Sequence, residues 1–282
     1  MNLIHGNNLE NLYELIEWTE DPYTEEGSKR FNAYRTSFSK LVKHKWIQEI
    51  TRFKKQISIL EICGGTGIAG TALAKTLKDE GIPVDLTVTD IRSKALSIAE
   101  KWGSQVLGKV NVSKVDARAI GNLNRSYDMI VMLGNSSVYF DPWNMISLLS
   151  AANKALTDSG LLIVEDVDFH RLMLIQGYKD LLIERIDDAI SLSFDRGYNP
   201  TRGTYERIYF SMPDAKKKAL GTFHFWSIAE LAALVSIFYE KSDVIEHPSG
   251  KSLHFFICGY KPQKELRQIN MQTNEGKPET ET

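Results

Sequence analysis

Apolar positions recur along this chain with three different periods, and each period predicts a different kind of structure. In the first 55 residues the period is helical. Leu9, Leu12, Leu15, Ile16 and Trp18 lie on one face before Asp21-Pro22-Tyr23 interrupts the pattern. A second amphipathic stretch, Phe31–Phe53, places Phe31, Tyr34, Phe38, Leu41, Val42, Trp46, Ile47 and Ile50 on one broad face. Because it precedes the first strand, the region 1–55 reads as a helical cap or lid laid against the core. From Ile57 short apolar runs alternate with helical patterns. Strands are predicted at Ile57–Ile62, Val84–Thr89, Val110–Lys114, Tyr127–Leu133 and Leu161–Glu165, and helices at Ile68–Lys78, Ser93–Trp102 and Trp143–Leu156. Ser93 is the expected cap of its helix. Strand–helix alternation implies right-handed crossovers and a mainly parallel sheet.

Beyond Asp168 the rhythm changes. Leu172, Ile175, Leu182, Ile183, Ile186 and Ile190 recur at spacings that predict one long helical stretch over Phe169–Phe194. Gly203–Ser211 alternates as a half-buried strand, and Phe223–Trp226 is a second candidate. Ser227–Phe238 is a helix with Ser227 and Glu230 forming a capping box. Ser252–Tyr260 reads as a closing strand, and the polar residues 263–282 as a disordered tail. The organisation is therefore a cap (1–55), an α/β domain (56–262) with an insertion at 168–225, and a tail.

The turn Cys63-Gly64-Gly65-Thr66-Gly67 joins the first strand to the first crossover helix, the arrangement by which an open α/β sheet builds a cofactor cradle. Glu61 lies just before it. Asp90 and Asp116 follow at or near the ends of the next two strands, so three acids line one crevice. Asp90 suits a ribose diol. Asp116-Ala117 suits an adenine, a carboxylate taking the exocyclic amine and a backbone amide reaching a ring nitrogen. Gly65–Gly70 also spells G-x-G-x-x-G, the dinucleotide fingerprint. Against that reading, Glu61 would repel a phosphate, whereas it would attract a cationic amino-acid end.

Composition narrows the classes further. A formal net charge of −2 gives no global basic field of the kind nucleic acid selects. Lys216-Lys217-Lys218 reads as a solvated loop. The two cysteines, Cys63 and Cys258, have no metal-ligand spacing and fit a reduced interior. With no signal-peptide pattern and no apolar run of the ~20 residues a bilayer requires, the expectation is a cytoplasmic protein.

Leu60-Glu61-Ile62-Cys63-Gly64-Gly65-Thr66-Gly67 resembles the first motif, E/D-x-G-x-G-x-G, of class I S-adenosylmethionine-dependent methyltransferases. It departs at Cys63, where glycine is usual; the turn is expected to survive if φ there is negative. Asp90 with Ile91 resembles that family's ribose-binding segment, and Asp116-Ala117 its adenine pair. Tyr127–Ser137 and Gly160–Phe169 are similar to the fourth- and fifth-strand segments of glycine/sarcosine N-methyltransferase-like members. Asp21-Pro22-Tyr23 resembles their N-terminal segment, whose arginine falls on Arg30 or Arg35.

The resemblance implies a Rossmann-like seven-stranded sheet with helices on both faces, an N-terminal helical lid and an insertion after strand five. It implies S-adenosylmethionine as cofactor, with S-adenosylhomocysteine as product. The implied cofactor-binding set is Tyr23, Arg35, Glu61, Cys63, Gly64, Gly65, Gly67, Asp90, Ile91, Asp116, Ala117, Leu133 and Gly134. The acceptor is expected to be a small molecule, methylated on nitrogen or oxygen by in-line displacement. Tyr139 and His170 are the catalytic candidates, with His224 as a further histidine in an aromatic cluster. The alternatives are an NAD(P)-dependent oxidoreductase using Gly65–Gly70 and a non-catalytic S-adenosylmethionine-binding protein.

Overall fold

The computed structural model describes residues 6–268 except 17, 19, 53, 187–189, 213–216, 249–252 and 264. Three helices come first: α1 (Gly6–Leu15), α2 (Glu25–Leu41) and α3 (Lys45–Thr51). The broad face predicted over 31–53 is thus divided between α2 and α3, and residue 53 lies outside the described residues. Thr24 caps α2 by accepting the Gly27 amide. Gly27 is obligatory, since a Cβ there would overlap the Asp21 carbonyl.

The alternating region gives β1 (Ile57–Ile62), α4 (Ile68–Asp79), β2 (Val84–Asp90), α5 (Ser93–Leu107), β3 (Asn111–Lys114), β4 (Tyr127–Met132), α6 (Pro142–Ala155) and β5 (Leu156–Val167). Ser93 is the first residue of α5, while Arg92 holds the cap position without a side-chain cap bond. The expected cap is therefore displaced by one residue.

Next come α7 (Phe169–Gln176), β6 (Leu181–Ile186), β7 (Ile190–Asn199), β8 (Thr204–Met212) and β9 (Lys218–Phe223), followed by α8 (Ile228–Phe238), β10 (Tyr239–Glu246) and β11 (His254–Pro262). The predicted capping box is present on α8. Two expectations fail in the insertion. The stretch read as one long helix is a short helix ended at Gly177 (φ +71), followed by two strands. The strand expected over Phe223–Trp226 ends where it was predicted to begin, at Phe223. β10, an edge strand with mostly exposed residues, carries no apolar run to announce it. The tail expected at 263–282 lies almost wholly outside the described residues.

The main sheet has seven strands in the order β10-β11-β5-β4-β1-β2-β3, with β11 antiparallel to both neighbours. One sheet face, including Ile57, Ile59, Met129 and Val131, packs against side chains of α2 to α5. Phe38 and Ile47 are completely buried there. Most of residues 31–50 thus wall the core instead of capping it. The other face, including Leu60, Ile62, Ile130 and Met132, packs against α6 and α8. A separate antiparallel sheet, β6-β7-β8-β9, forms the insertion. Its Tyr209, Ala219 and Phe223 pack with Leu9, Leu12 and Leu15 of α1 in a third cluster. α1 and the segment after it lie over the C-terminal ends of the central strands. No helix among the described residues is long and apolar enough to cross a membrane.

Candidate cofactor and active site

The cleft lies where β1 and β4 end, as the position of strand C-termini in an open sheet requires. After β1 the backbone turns sharply: Cys63 has φ +54, Gly65 +55 and Gly67 +74. Cys63 therefore adopts the left-handed region, contrary to the expected negative φ, at a cost of about 1 kcal/mol for a residue with a Cβ. Burial, reinforced by Asp90 and Asp116, pushes its thiol well above the usual range, so it is a neutral small side chain. Asp90 braces the turn from below, its Oδ2 accepting the Gly65 amide (2.8 Å) and its Oδ1 the Arg92 amide (2.8 Å).

Glu61 is almost fully buried and its Oε1 accepts the Gly70 amide at 2.7 Å. Its Oε2 has no hydrogen-bond partner among the described residues. Burial pushes the Glu61 carboxyl up to about 8, with the Gly70 amide and Arg30 opposing. A Cβ on Gly70 would overlap this carboxylate. The third glycine of the G-x-G-x-x-G string is thus required by an acid of this chain, which explains the spacing without a pyrophosphate.

At the end of β4, Glu165 Oε2 accepts the Gly134 amide (2.8 Å) and the Tyr34 hydroxyl (3.1 Å). Burial raises the Glu165 carboxyl as well, against those two donors. Arg30 lies 4.6 Å from the Trp18 ring centre, and its guanidinium approaches to 3.1 Å the point where a Gly134 Cβ would stand. A cation and a partnerless carboxylate oxygen thus share one end of the cleft.

The roof is tied to the floor through Arg92. Its guanidinium donates to both Glu20 oxygens (3.1 and 2.8 Å), lies 3.4 Å from Asp90 Oδ1 and stacks 3.8 Å from the Tyr13 ring centre. The Thr66 hydroxyl donates to the Glu20 carbonyl at 2.5 Å. Further along, Asp116 caps the 3-10 turn Ala117–Asn122 and is gripped by Arg118, with Nε to Oδ1 at 2.9 Å and the terminal nitrogen to Oδ2 at 2.6 Å. Burial works to raise this carboxyl, but the Arg118 bonds prevail and hold it below its ordinary value.

Of the residues singled out in the sequence, Glu61, Cys63, Gly64, Gly65, Leu133 and Gly134 line the cleft together. Asp90 holds its turn from beneath, Gly67 begins α4, and Ile91 packs against the Tyr13–Tyr139 cluster. Ala117 is buried on the α6 side of the sheet. Tyr23 is 54% exposed and does not line the cleft. Arg35 is paired with Asp79 of α4 at 2.5 Å; the arginine that lines the cleft is Arg30. His170 is half exposed, 3.7 Å from Glu230 of α8, and outside the cleft lining. His224 Nδ1 donates to the Gly203 carbonyl (2.7 Å), and the ring packs edge-on to Trp226. Tyr139 lies beside the cleft with its hydroxyl 3.4 Å from that of Tyr13. Burial keeps its phenol protonated far above neutral pH.

Tyr13, Trp18, Glu20, Thr66, Arg92 and Ser136 line the cleft without having been predicted. Arg92 follows Asp90 by two residues and could have been found by asking what neutralises that acid. Thr66 and Ser136 lie inside segments already singled out, whereas Tyr13, Trp18 and Glu20 belong to no motif and reach the cleft through tertiary packing. Among the described residues no group of three or more His, Cys, Asp or Glu is arranged for a metal ion.

Residues 59–160 match the family described as a methyltransferase domain. Solved structures share the fold at low identity. The PH0226 protein of Pyrococcus horikoshii OT3 is 16% identical, with a TM-score of 0.61, over 89% of this chain and 98% of its own. An S-adenosylmethionine-dependent methyltransferase of Clostridium acetobutylicum is 13% identical, with a TM-score of 0.59, over 90% and 98%. CalS10 of Micromonospora echinaspora, an amino pentose methyltransferase solved with S-adenosylmethionine bound, is 14% identical, with a TM-score of 0.55, over 85% and 98%. No curated protein sequence matches. Residues 59–160 thus match a methyltransferase domain, on a fold shared with S-adenosylmethionine-dependent methyltransferases. Its residues fit that cofactor, because the orphaned Glu61 Oε2 offers an acceptor to an ammonium at the cleft end.

Proposed function

We propose that this enzyme methylates the nitrogen or oxygen of a small-molecule acceptor held beneath α1 and the inner face of the insertion sheet. The observation that carries the proposal is enclosure. α1, the Tyr13–Tyr139 contact and the Tyr209–Phe223 face pack together beside the strand ends, an arrangement that suits a small acceptor better than a folded macromolecule. The amino pentose acceptor of CalS10, which shares the fold, agrees with an acceptor of this size.

Glu61 and Arg30 would hold the charged amino-acid end of the cofactor, the Gly64–Gly65 backbone its middle and Asp90 the ribose. When bound, S-adenosylmethionine supplies an electrophilic methyl group. The chain contributes alignment of the acceptor lone pair and exclusion of water, the terms that dominate an in-line displacement. Tyr139 acts as a neutral hydroxyl that orients the acceptor, since its pKa is too high for it to serve as a base.

Calorimetric titration with S-adenosylmethionine, S-adenosylhomocysteine and NADH tests the cofactor site; heat from NADH alone would overturn it. Methyl transfer is tested with labelled cofactor against amines, amino sugars and phenols. Cofactor binding with no S-adenosylhomocysteine formed across that panel would leave a binding protein in place of an enzyme of small molecules.

A further inference from the structure

The outer face of the insertion sheet is apolar and, among the described residues, uncovered. Strand register places Leu181, Ile183 and Ile186 of β6, Ile190, Leu192 and Phe194 of β7, and Ile208, Phe210 and Met212 of β8 on one side, with Leu220 of β9. The opposite side carries Ser191, Ser193, Arg207, Tyr209 and Phe223, of which Tyr209 and Phe223 pack with α1. None of the outer side chains belongs to any of the three buried clusters. Six of them are exposed, from 38% at Phe194 to 69% at Ile186. Phe194 and Phe210 stack in parallel on this face, with centroids 5.5 Å apart. A soluble monomer seldom carries a contiguous apolar patch of this kind without a use for it.

We infer that this face pairs with the same face of a second copy of the chain, giving a two-fold dimer in which two insertion sheets pack face to face. Area supports it. The six exposed side chains alone present on the order of 600 Å², close to the roughly 800 Å² that each partner gives to a stable interface. Shape supports it too. A flat antiparallel sheet face packs on another at about 10 Å, and a patch that meets itself across a two-fold axis needs no second complementary surface. Charge is consistent: in the β8–β9 register Glu206 and Lys218 lie on this face at opposite ends of the pair, flanking an uncharged centre. In an antiparallel two-fold pairing such ends meet as opposite charges.

Pairing through the β9 edge is blocked. Asn8 of α1 donates to the Leu220 carbonyl (2.6 Å) and accepts the Leu220 amide (3.1 Å), occupying the edge groups another strand would use. That edge of the sheet is thus already occupied, whereas the face is not. The dimer buries the outer side of the sheet whose inner side packs on α1, so it supports α1 without contributing to cofactor contacts. The inference does not rest on the acceptor proposed above.

Sedimentation velocity of the full chain from 1 to 50 µM tests it. The wild-type chain should sediment as a dimer, and Ile183→Lys with Ile190→Lys as a monomer. Both substituted side chains are exposed, so the monomeric variant should keep its wild-type circular dichroism and cofactor affinity within about twofold. A wild-type monomer throughout that range overturns the inference, as does a variant that remains dimeric. Wild-type chain that is monomeric in buffer but floats with vesicles of phosphatidylserine and phosphatidylcholine overturns it in favour of a membrane surface.

Discussion

The cleft and the insertion sheet are built by opposite rules. In the cleft, strands of a parallel sheet are buried on both faces, and chemistry is confined to the turn and the strand ends that leave it. Polar residues there are few, buried and individually accounted for: Asp90 braces Gly65, Glu61 caps Gly70, and Glu165 holds Gly134. In the insertion, a thin sheet has an inner face that carries Arg207, Tyr209 and Phe223 and an outer face that is apolar and uncovered. The first region discriminates among ligands by a handful of atoms; the second supplies area. Substitutions should therefore separate cofactor affinity from stability and assembly.

The largest expected effect is in the cleft. Asp90→Ala removes a carboxylate proposed to hold the ribose and known to hold Gly65 and Arg92. Calorimetry should show S-adenosylmethionine affinity weakened by about 2–4 kcal/mol. Undiminished affinity would mean that the ribose lies elsewhere. The insertion should answer differently. Arg207 is buried, donating through Nε to Ser193 Oγ (3.0 Å) and through a terminal nitrogen to the Lys179 carbonyl (2.7 Å). Arg207→Met strands those acceptors and should cost about 2–3 kcal/mol of stability in a urea titration. Cofactor affinity should change little; a loss as large as that of Asp90→Ala would erase the contrast between the regions.

A third expectation concerns pH. Glu61 is raised from an ordinary carboxyl value of 4.5 to about 8 by burial. Between those values the folded chain keeps a proton that the unfolded chain releases, so stability without cofactor should fall as pH rises through the window. An ammonium placed beside Glu61 favours the carboxylate. Cofactor binding below pH 8 should then expel a proton, and affinity should climb with pH. Titrations in buffers of differing ionisation heat measure that proton, and Glu61→Gln should abolish it. The smallest effect is at Cys63. Glycine relieves the left-handed strain but adds freedom to the unfolded chain, so Cys63→Gly should shift stability by less than about 1 kcal/mol.

The legibility of the two regions in the sequence follows the same divide. Parallel strands separated by helices leave alternating apolar runs, and the glycine turn with Glu61, Asp90 and Asp116 keeps its order along the chain, so sheet and cradle could both be read. The helix expected over Phe169–Phe194 failed for a definite reason. Leu181, Leu182 and Ile183 point to alternate faces of β6, yet all are apolar because the outer face is not lined with polar residues. The two-residue period that marks a strand vanished, and chance spacings of three and four took its place. His170 was placed one turn beyond a strand end, where α7 carries it towards Glu230. Arg30 could not be separated from Arg35 because both lie on α2, and only packing shows which looks into the cleft.

Arg92 joins two acids that belong to different parts of the molecule: Asp90 on the floor and Glu20 in the segment that roofs it. One guanidinium shared in this way acts as a thermodynamic ledger between them. Whatever free energy a bound ribose adds to or takes from the Arg92–Glu20 contact, closure of the roof must return to the ribose in equal measure. Residence time of the spent cofactor should therefore be written partly in Glu20, a residue outside the motif that announced the fold and joined to it through Thr66.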